Sequence, residues 1–317
     1  ALAPLGLAGM MAQRGEAQAV KAANAAEVPF TLSTVGICPL EEVKAAATAP
    51  FWFQLYMIRD RDYVDTLLKK AWDAGCQTLI FTIDLPLPGP RHRDTRNGLN
   101  SAGARSVALK AQQLLSRPGW LWQVAIKGKP LTFGNLSDAV PEASNLDSFK
   151  QWVDTQFDAS VTWQAIEWLR ERWPGKLILK GILEVDDAKA AVNVGADGIV
   201  VSNHGGRQLD GVAATARKLP DIVAAVGNDT EILVDGGIRN GVDVFRALAL
   251  GANGVMIGRP WAWALAAEGQ AGLTRLLNTW QQELKLAMTL TGVTRIADIG
   301  TDQLDRNPEP GKLGEQQ

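Results

Sequence analysis

Cysteine is nearly absent from this chain of 317 residues; Cys38 and Cys76 are the only two. Two thiols so far apart exclude a disulfide framework and a thiolate metal cluster. Histidine is equally scarce, with His92 and His204 alone, and the four residues together are too few for a zinc centre. A net excess of charge is also missing. Lys plus Arg is 32 and Asp plus Glu is 34, a formal −2, so there is no basic excess to suggest a nucleic-acid partner. No apolar run reaches the ~18 to 20 residues needed to span a bilayer. The apolar start Ala1–Met11 is interrupted by Pro4, Gly6 and Gly9 and has no basic leader. It lacks Met at residue 1 and reads as a core strand whose preceding segment is absent. No G-x-G-x-x-G follows a strand, which removes support for a nicotinamide dinucleotide. A reducing, cytoplasmic setting is the simplest reading of the cysteine usage.

What is present is ordinary in bulk and regular in pattern. Apolar residues are 46% and charged residues 21%, the balance of a globular protein with ample core. Short apolar runs alternate with helical periodicities. Strands are expected at Ala1–Leu5, Pro29–Ser33, Phe51–Tyr56, Thr78–Asp84, Lys176–Ile182, Gly198–Ser202, Glu231–Asp235 and Gly254–Ile257. Helices are expected at Gly15–Glu27, Leu40–Ala47, Arg61–Ala74, Asp186–Val194, Leu219–Val226, Val242–Leu250 and across Trp261–Leu290. Continuous apolar strands are those of a buried parallel sheet. Eight such units favour an α/β fold of the closed (β/α)8 (TIM) barrel kind, a single domain over residues 1–317.

The rhythm breaks between 86 and 174, an insertion after the fourth expected strand with helix-like stretches at Ser106–Leu115 and Leu146–Val153. It holds six of the eleven tryptophans, so it reads either as a Trp-packed subdomain or as a surface that touches a membrane.

In such barrels the chemistry sits at the C-terminal strand ends. Polar residues gather there: Ser33, Gln54 and Tyr56, Thr82 and Asp84, Lys180, the run Ser202–Arg207, then Asp235, Gly236, Gly237 and Arg239, then Gly258 and Arg259. The runs SNHGGRQLDG (Ser202–Gly211), VDGGIRNG (Val234–Gly241), IGRP (Ile257–Pro260), FQLY (Phe53–Tyr56) and the FDASVTWQAIEWLR stretch are together highly specific. They resemble the FMN-dependent 2-hydroxy acid dehydrogenase and oxidase family over essentially the whole chain, and most of all its membrane-associated bacterial members that act on L-lactate.

The resemblance implies FMN as cofactor and oxidation of an L-2-hydroxy acid, L-lactate to pyruvate, with electrons passed to a quinone-type acceptor. It also implies a homo-oligomer placed peripherally at the cytoplasmic face of the inner membrane. The family carries an N-terminal segment that supplies a substrate-contacting tyrosine, a role no residue here inherits.

Chemistry and resemblance together suggest roles. His204 is the expected base, because imidazole titrates near neutrality; Asp84 would stabilise its imidazolium. Arg207 and Arg91 would grip the substrate carboxylate with a planar fork, and Tyr56 would hydrogen-bond a substrate oxygen. Lys180 would stabilise negative charge on the reduced flavin, with Ser33, Gln54, Thr82 and Ser202 at the ring edge. Asp235, Gly236, Gly237, Arg239, Gly258 and Arg259 would form the phosphate and ribityl site. Ala3, Pro4, Leu5 and Gly6 would lie by the flavin face, Gly6 leaving space near its reactive nitrogen; Val35 would help set substrate side-chain preference. Metal ligands are not expected. Two other readings stand beside this one: an oxygen-using oxidase or monooxygenase of the same family, and a non-redox barrel isomerase or aldolase with Lys180 as Schiff-base nucleophile.

Overall fold

A computed structural model describes residues 1–87, 89–97, 104–139, 152–153 and 155–305. Its centre is one parallel sheet with strands in chain order: β1 (Thr31–Ser33), β2 (Trp52–Leu55), β3 (Thr78–Thr82), β4 (Lys176–Ile182), β5 (Gly198–Val201), β6 (Glu231–Asp235) and β7 (Gly254–Met256). Parallel neighbours need crossovers, and helices supply them: α1 (Gly15–Ala25), α2 (Leu40–Ala46) and α3 (Arg61–Asp73) before the insertion, α7 (Trp163–Arg172) at its end, then α8 (Val185–Asn193), α9 (Thr215–Val226), α10 (Gly241–Ala249) and α11 (Arg259–Leu290). Inside the insertion lie α4 (His92–Arg96), α5 (Ala104–Leu115), α6 (Pro118–Trp120) and a π-helical turn at Leu121–Ile126. The expected helix at Leu146–Val153 lies mostly outside the described residues.

The sheet curls so that Leu2 stands between its two edges, in single parallel bridges to Phe30 and to Ile257. Ala3 N donates to Ile257 O at 2.8 Å and Leu2 N to Pro29 O at 2.8 Å. The first expected strand, Ala1–Leu5, is therefore shortened to bridging residues. Pro4 has no N–H to extend the ladder, and Leu7 turns the chain at φ 62°. Seven strands and this bridging segment give the α/β barrel architecture, not fully closed, with single bridges at Leu2 in place of an eighth ladder.

Two more boundaries differ from expectation. Helix α9 starts at Thr215, because Thr215, Leu219, Ile222 and Val226 recur at helical spacing and are all buried. Helix α11 breaks at Glu268–Gly269, where Gly269 has φ 59°.

Strand alternation sorts the side chains. Ala3, Ile80, Ile178, Val200 and Met256 pack into one small apolar cluster joined by Trp52 and Leu233. The opposite faces, such as Leu79, Phe81, Leu177, Leu179, Ile199 and Val201, join the larger core under the helices. Two residues beyond Trp52, Ile80, Ile178, Val200 and Leu233 stand Gln54, Thr82, Lys180, Ser202 and Asp235. The same period that builds the inner apolar layer thus sets a polar layer on top of it.

The insertion is tied back by side chains. Trp120 Nε1 donates to Met10 O at 2.8 Å, and Arg14 Nη1 to Pro130 O at 3.2 Å. Asn135, buried, donates to Ser33 O at 3.1 Å and accepts from Leu40 N at 2.9 Å. Trp173 is fully buried and Trp152 sits edge-on to Tyr63; Trp122 is 54% exposed.

Candidate active site

The polar layer is a connected network. Ser33 Oγ donates to Gln54 Oε1 at 3.0 Å, and Gln54 Nε2 donates to Thr82 Oγ1 at 3.1 Å. Lys180 is 4% exposed. Its Nζ lies 2.8 Å from Asp235 Oδ2 and donates to Ser202 Oγ at 2.8 Å. Burial works against its charge, but Asp235 and then Asp84 outweigh that cost and hold the ammonium above its ordinary pKa. Lys180 is thus a fixed positive charge in the floor of the site.

Above it, Ser202 Oγ accepts from His204 N at 3.1 Å, and His204 stands at φ 55°. That left-handed turn aims the ring at the end of β3, where Nδ1 lies 2.9 Å from Asp84 Oδ1. A carboxylate accepts, so Nδ1 carries the proton and Nε2 is left as the acceptor. The Asp84 side chain is 13% exposed and that of His204 19%, sheltered yet reachable.

Asp84 approaches so closely that a Cβ on Gly181 would lie 2.7 Å from the Asp84 Cβ; Gly181 also has φ 116°. Gln208 Nε2 donates to Asp84 O at 3.0 Å and to Leu87 O at 2.9 Å. It clamps the segment that leads to Arg91. Tyr56, half-buried against Phe157 with ring centroids 5.0 Å apart, has its hydroxyl pKa pushed up by burial and then by Asp84, with Arg91 opposing. Arg91 is pulled down by burial and then by Arg207.

At the far rim, Arg259 Nη2 donates to Gly205 O at 2.9 Å, and Arg239 Cζ lies 5.6 Å from the centroid of the Trp263 ring. Arg259 is pulled down by burial, then by Arg239 and Arg207. Neighbouring guanidiniums thus disfavour the charges of Arg91 and Arg259, and a cluster of four arginines suits anionic ligands, a carboxylate and a phosphate. The turn Gly236–Gly237 has φ 88° and 81°. Open space surrounds the Cβ positions of Gly237 and Gly258, leaving backbone exposed beside the two arginines.

Asp84 Oδ2 and Asp235 Oδ1 are buried and have no hydrogen-bond partner among the described residues. Buried acceptors of this kind want donors, and together with Lys180, the amide and hydroxyl row and the arginine rim they fit a flavin with its phosphate.

Ala3 is buried, and its carbonyl accepts from Trp261 Nε1 at 3.1 Å. Pro4, Leu5 and Gly6 follow it beside β1. At Gly6 the space is already taken: an added Cβ would lie 2.7 Å from Val35 Cγ2. Its missing side chain admits Val35. His92 is exposed and stands outside the network.

Sequence reading placed Thr34 beside Ser33 at the strand end but gave it no role; its Oγ1 donates to Gln54 O at 2.6 Å. It missed Thr215, whose Oγ1 donates to Asp235 O at 2.6 Å, and Trp263 under Arg239. Gln208 was within the quoted SNHGGRQLDG run and could have been found there; the others give no local signal. Among the described residues no group of His, Cys, Asp and Glu is arranged to hold a metal.

A barrel with this strand-end network defines a flavin-dependent oxidoreductase of the α/β-barrel class. The chain belongs to the FMN-dependent dehydrogenase family, whose model matches residues 1–306. Curated relatives include L-lactate dehydrogenase of Caulobacter sp. strain K31, 51% identical over 307 residues, 97% of this chain and 79% of that protein. L-lactate dehydrogenase of Stenotrophomonas maltophilia strain R551-3 is 51% identical over 308 residues, 97% of this chain and 81% of that one. Among solved structures, mandelate oxidase with (S)-4-hydroxymandelic acid superposes with a TM-score of 0.78 at 39% identity, covering 94% of this chain and 77% of that one.

Proposed function

We propose that this FMN-dependent dehydrogenase oxidises L-lactate to pyruvate and passes the electrons to a quinone-type acceptor. The observation that carries the reading is the His204–Asp84 pair, placed over buried Lys180 and between the arginine groups. Relatives at 51% identity over nearly the whole chain support lactate.

Arg207 and Arg91 bind the substrate carboxylate and Tyr56 a substrate oxygen, which orients the α-carbon. Nε2 of His204 takes a proton, from the hydroxyl or from the α-carbon, and Asp84 Oδ1 stabilises the imidazolium through Nδ1–H. Ser33, Gln54, Thr82, Ser202 and Lys180 would hold the flavin ring edge, and Ala3 to Gly6 would lie beside its face. Asp235, Gly236, Gly237, Arg239, Gly258 and Arg259 would hold the ribityl chain and phosphate. When bound, the FMN supplies the two-electron acceptor that the side chains lack.

The Schiff-base alternative has no support, because a lysine held protonated is a poor amine nucleophile. An oxygen-using oxidase remains the second reading, favoured by the likeness to mandelate oxidase; peroxide yield on turnover in air separates the two. The quinone acceptor, the homo-oligomer and a peripheral place at the inner membrane belong to the same proposal. An interfacial contact is supported by Trp122 and Ile126, 54% and 50% exposed, with Lys127 Nζ 5.1 Å from the Trp122 ring centroid.

The decisive experiment is anaerobic: the protein should carry FMN, and L-lactate should bleach it. Retention of full flavin absorbance with saturating L-lactate would sink lactate as substrate.

A further inference from the structure

The loop that carries the base is strained and is held from outside its own strand. His204, Gly205 and Gly206 stand in succession at φ 55°, 67° and 70°. An L-residue adopts that left-handed region at a cost, so neighbours must impose it. On one side Ser202 Oγ accepts from His204 N, and Asn203 Oδ1 accepts from Gly206 N at 3.1 Å. On the other side Arg259, at the start of α11, donates from Nη2 to Gly205 O at 2.9 Å. The fit is close, since a Cβ on Gly205 would lie 3.1 Å from that nitrogen.

A guanidinium has five N–H donors in a rigid plane, so one edge can hold a carbonyl while another faces an anion. Burial, Arg239 and Arg207 all disfavour the charge on Arg259, and an anion at the rim would relieve this.

We infer that Arg259 is a positioning residue for the His204 base, coupling occupancy of the cofactor-phosphate site to the aim of the imidazole. This rests on the reading that Arg239 and Arg259 receive the FMN phosphate. An anion that fixes the guanidinium fixes the Gly205 carbonyl, and with it the φ of His204 and the Nδ1–H bond to Asp84. Coupling between two sites is reciprocal, so loosening the loop must also weaken the phosphate site.

The test uses the full chain, freed of flavin and reloaded with FMN or with riboflavin, which lacks the phosphate. A His92→Asn background leaves His204 as the single imidazole, so the solvent exchange of its Nδ1 proton can be followed by NMR. Flavin affinity is measured in parallel by fluorescence. The expected result is exchange about tenfold slower with FMN than with riboflavin, the size of one hydrogen-bond contribution. In Arg259→Gln, saturated with either flavin, that difference should vanish. Gly205→Ala should weaken FMN by a similar factor and leave riboflavin nearly unchanged, which also shows that the variant is folded. Equal Nδ1 exchange in the parent and Arg259→Gln, both saturated with FMN, would overturn the coupling and leave the cofactor site standing. Equal affinity of the parent for FMN and riboflavin would instead overturn the phosphate assignment, and the coupling with it.

Discussion

The proposed base His204 is set by two contacts and a backbone angle: a backbone N–H on Ser202 Oγ, an Nδ1–H on Asp84, and a left-handed φ. The first two lie outside the proposed phosphate site, and the third is held through Gly205 O by Arg259. His204→Ala, saturated with FMN, is expected to stay loaded while the rate of flavin reduction by L-lactate falls at least ~10²- to 10⁴-fold, the usual contribution of a general base. Anaerobic stopped-flow absorbance measures it, and near-parental reduction would end the assignment of His204. Lys180 makes a different demand. Its pair with Asp235 is buried on both sides, at 4% and 10% side-chain exposure. Lys180→Met would leave a buried carboxylate alone, at a cost of about 3–5 kcal/mol in urea unfolding. Because the folded-state pKa of Lys180 lies above its ordinary 10.5, its stabilisation is complete below that pH and is lost only as pH rises through the folded value. The difference between parent and variant should thus be flat from neutrality to about pH 9 and shrink in strong alkali. A difference that already shrinks between pH 7 and 9 would contradict the assigned charge.

At the level of elements, the site depends on the ends of β3 and β4 coming together. Lys180 pairs with Thr82 across the β3–β4 ladder, and on the other side of β4 the register with β5 shifts between Lys180 and Ile182. Gly181 fills that irregularity at φ 116°, with Asp84 against it. Gly181→Ala is expected to destabilise by about 1–3 kcal/mol, the usual cost of a strained backbone position. It should also slow flavin reduction by displacing Asp84. Thermal unfolding and stopped-flow reduction test both; parental behaviour in each would show that the contact is dispensable. Most elements were legible beforehand. β4 and β6 have the expected bounds, because an apolar run bounded by turn residues marks a buried strand. The start of α9 was not, because Pro220 masked a helix whose buried face only packing reveals.

At the scale of the molecule, the insertion divides its tryptophans. Trp173, Trp152 and Trp120 are engaged with the barrel or its helices, while Trp122 faces outward. That supports packing for most and leaves a small apolar and basic patch at Trp122, Ile126, Lys127 and Lys129. Among the described residues no helix is long and apolar enough to cross a membrane. Each lysine near anionic lipid contributes about 1 kcal/mol, so Lys127→Glu/Lys129→Glu should reduce sedimentation with anionic vesicles by tenfold or more. Equal sedimentation of both proteins would remove this patch as the anchor.

The sequence by itself determined the β/α repeat, the strand-end location of the polar residues and the family, because period-2 burial and contiguous motifs are local properties. It set Gln54, Thr82, Lys180, Ser202 and Asp235 two residues beyond inward apolar positions, and so on one face. Only the tertiary structure decided what those residues do to one another. The pairing of His204 with Asp84 spans 120 positions in the chain, and the Arg259–Gly205 link spans 54. Such contacts are set by the curl of the sheet and the twist of each strand end, which no local pattern encodes. The same is true of closure. An apolar Ala1–Leu5 predicts a strand, but Pro4 and the turn at Leu7 limit its hydrogen bonding to bridges at Leu2.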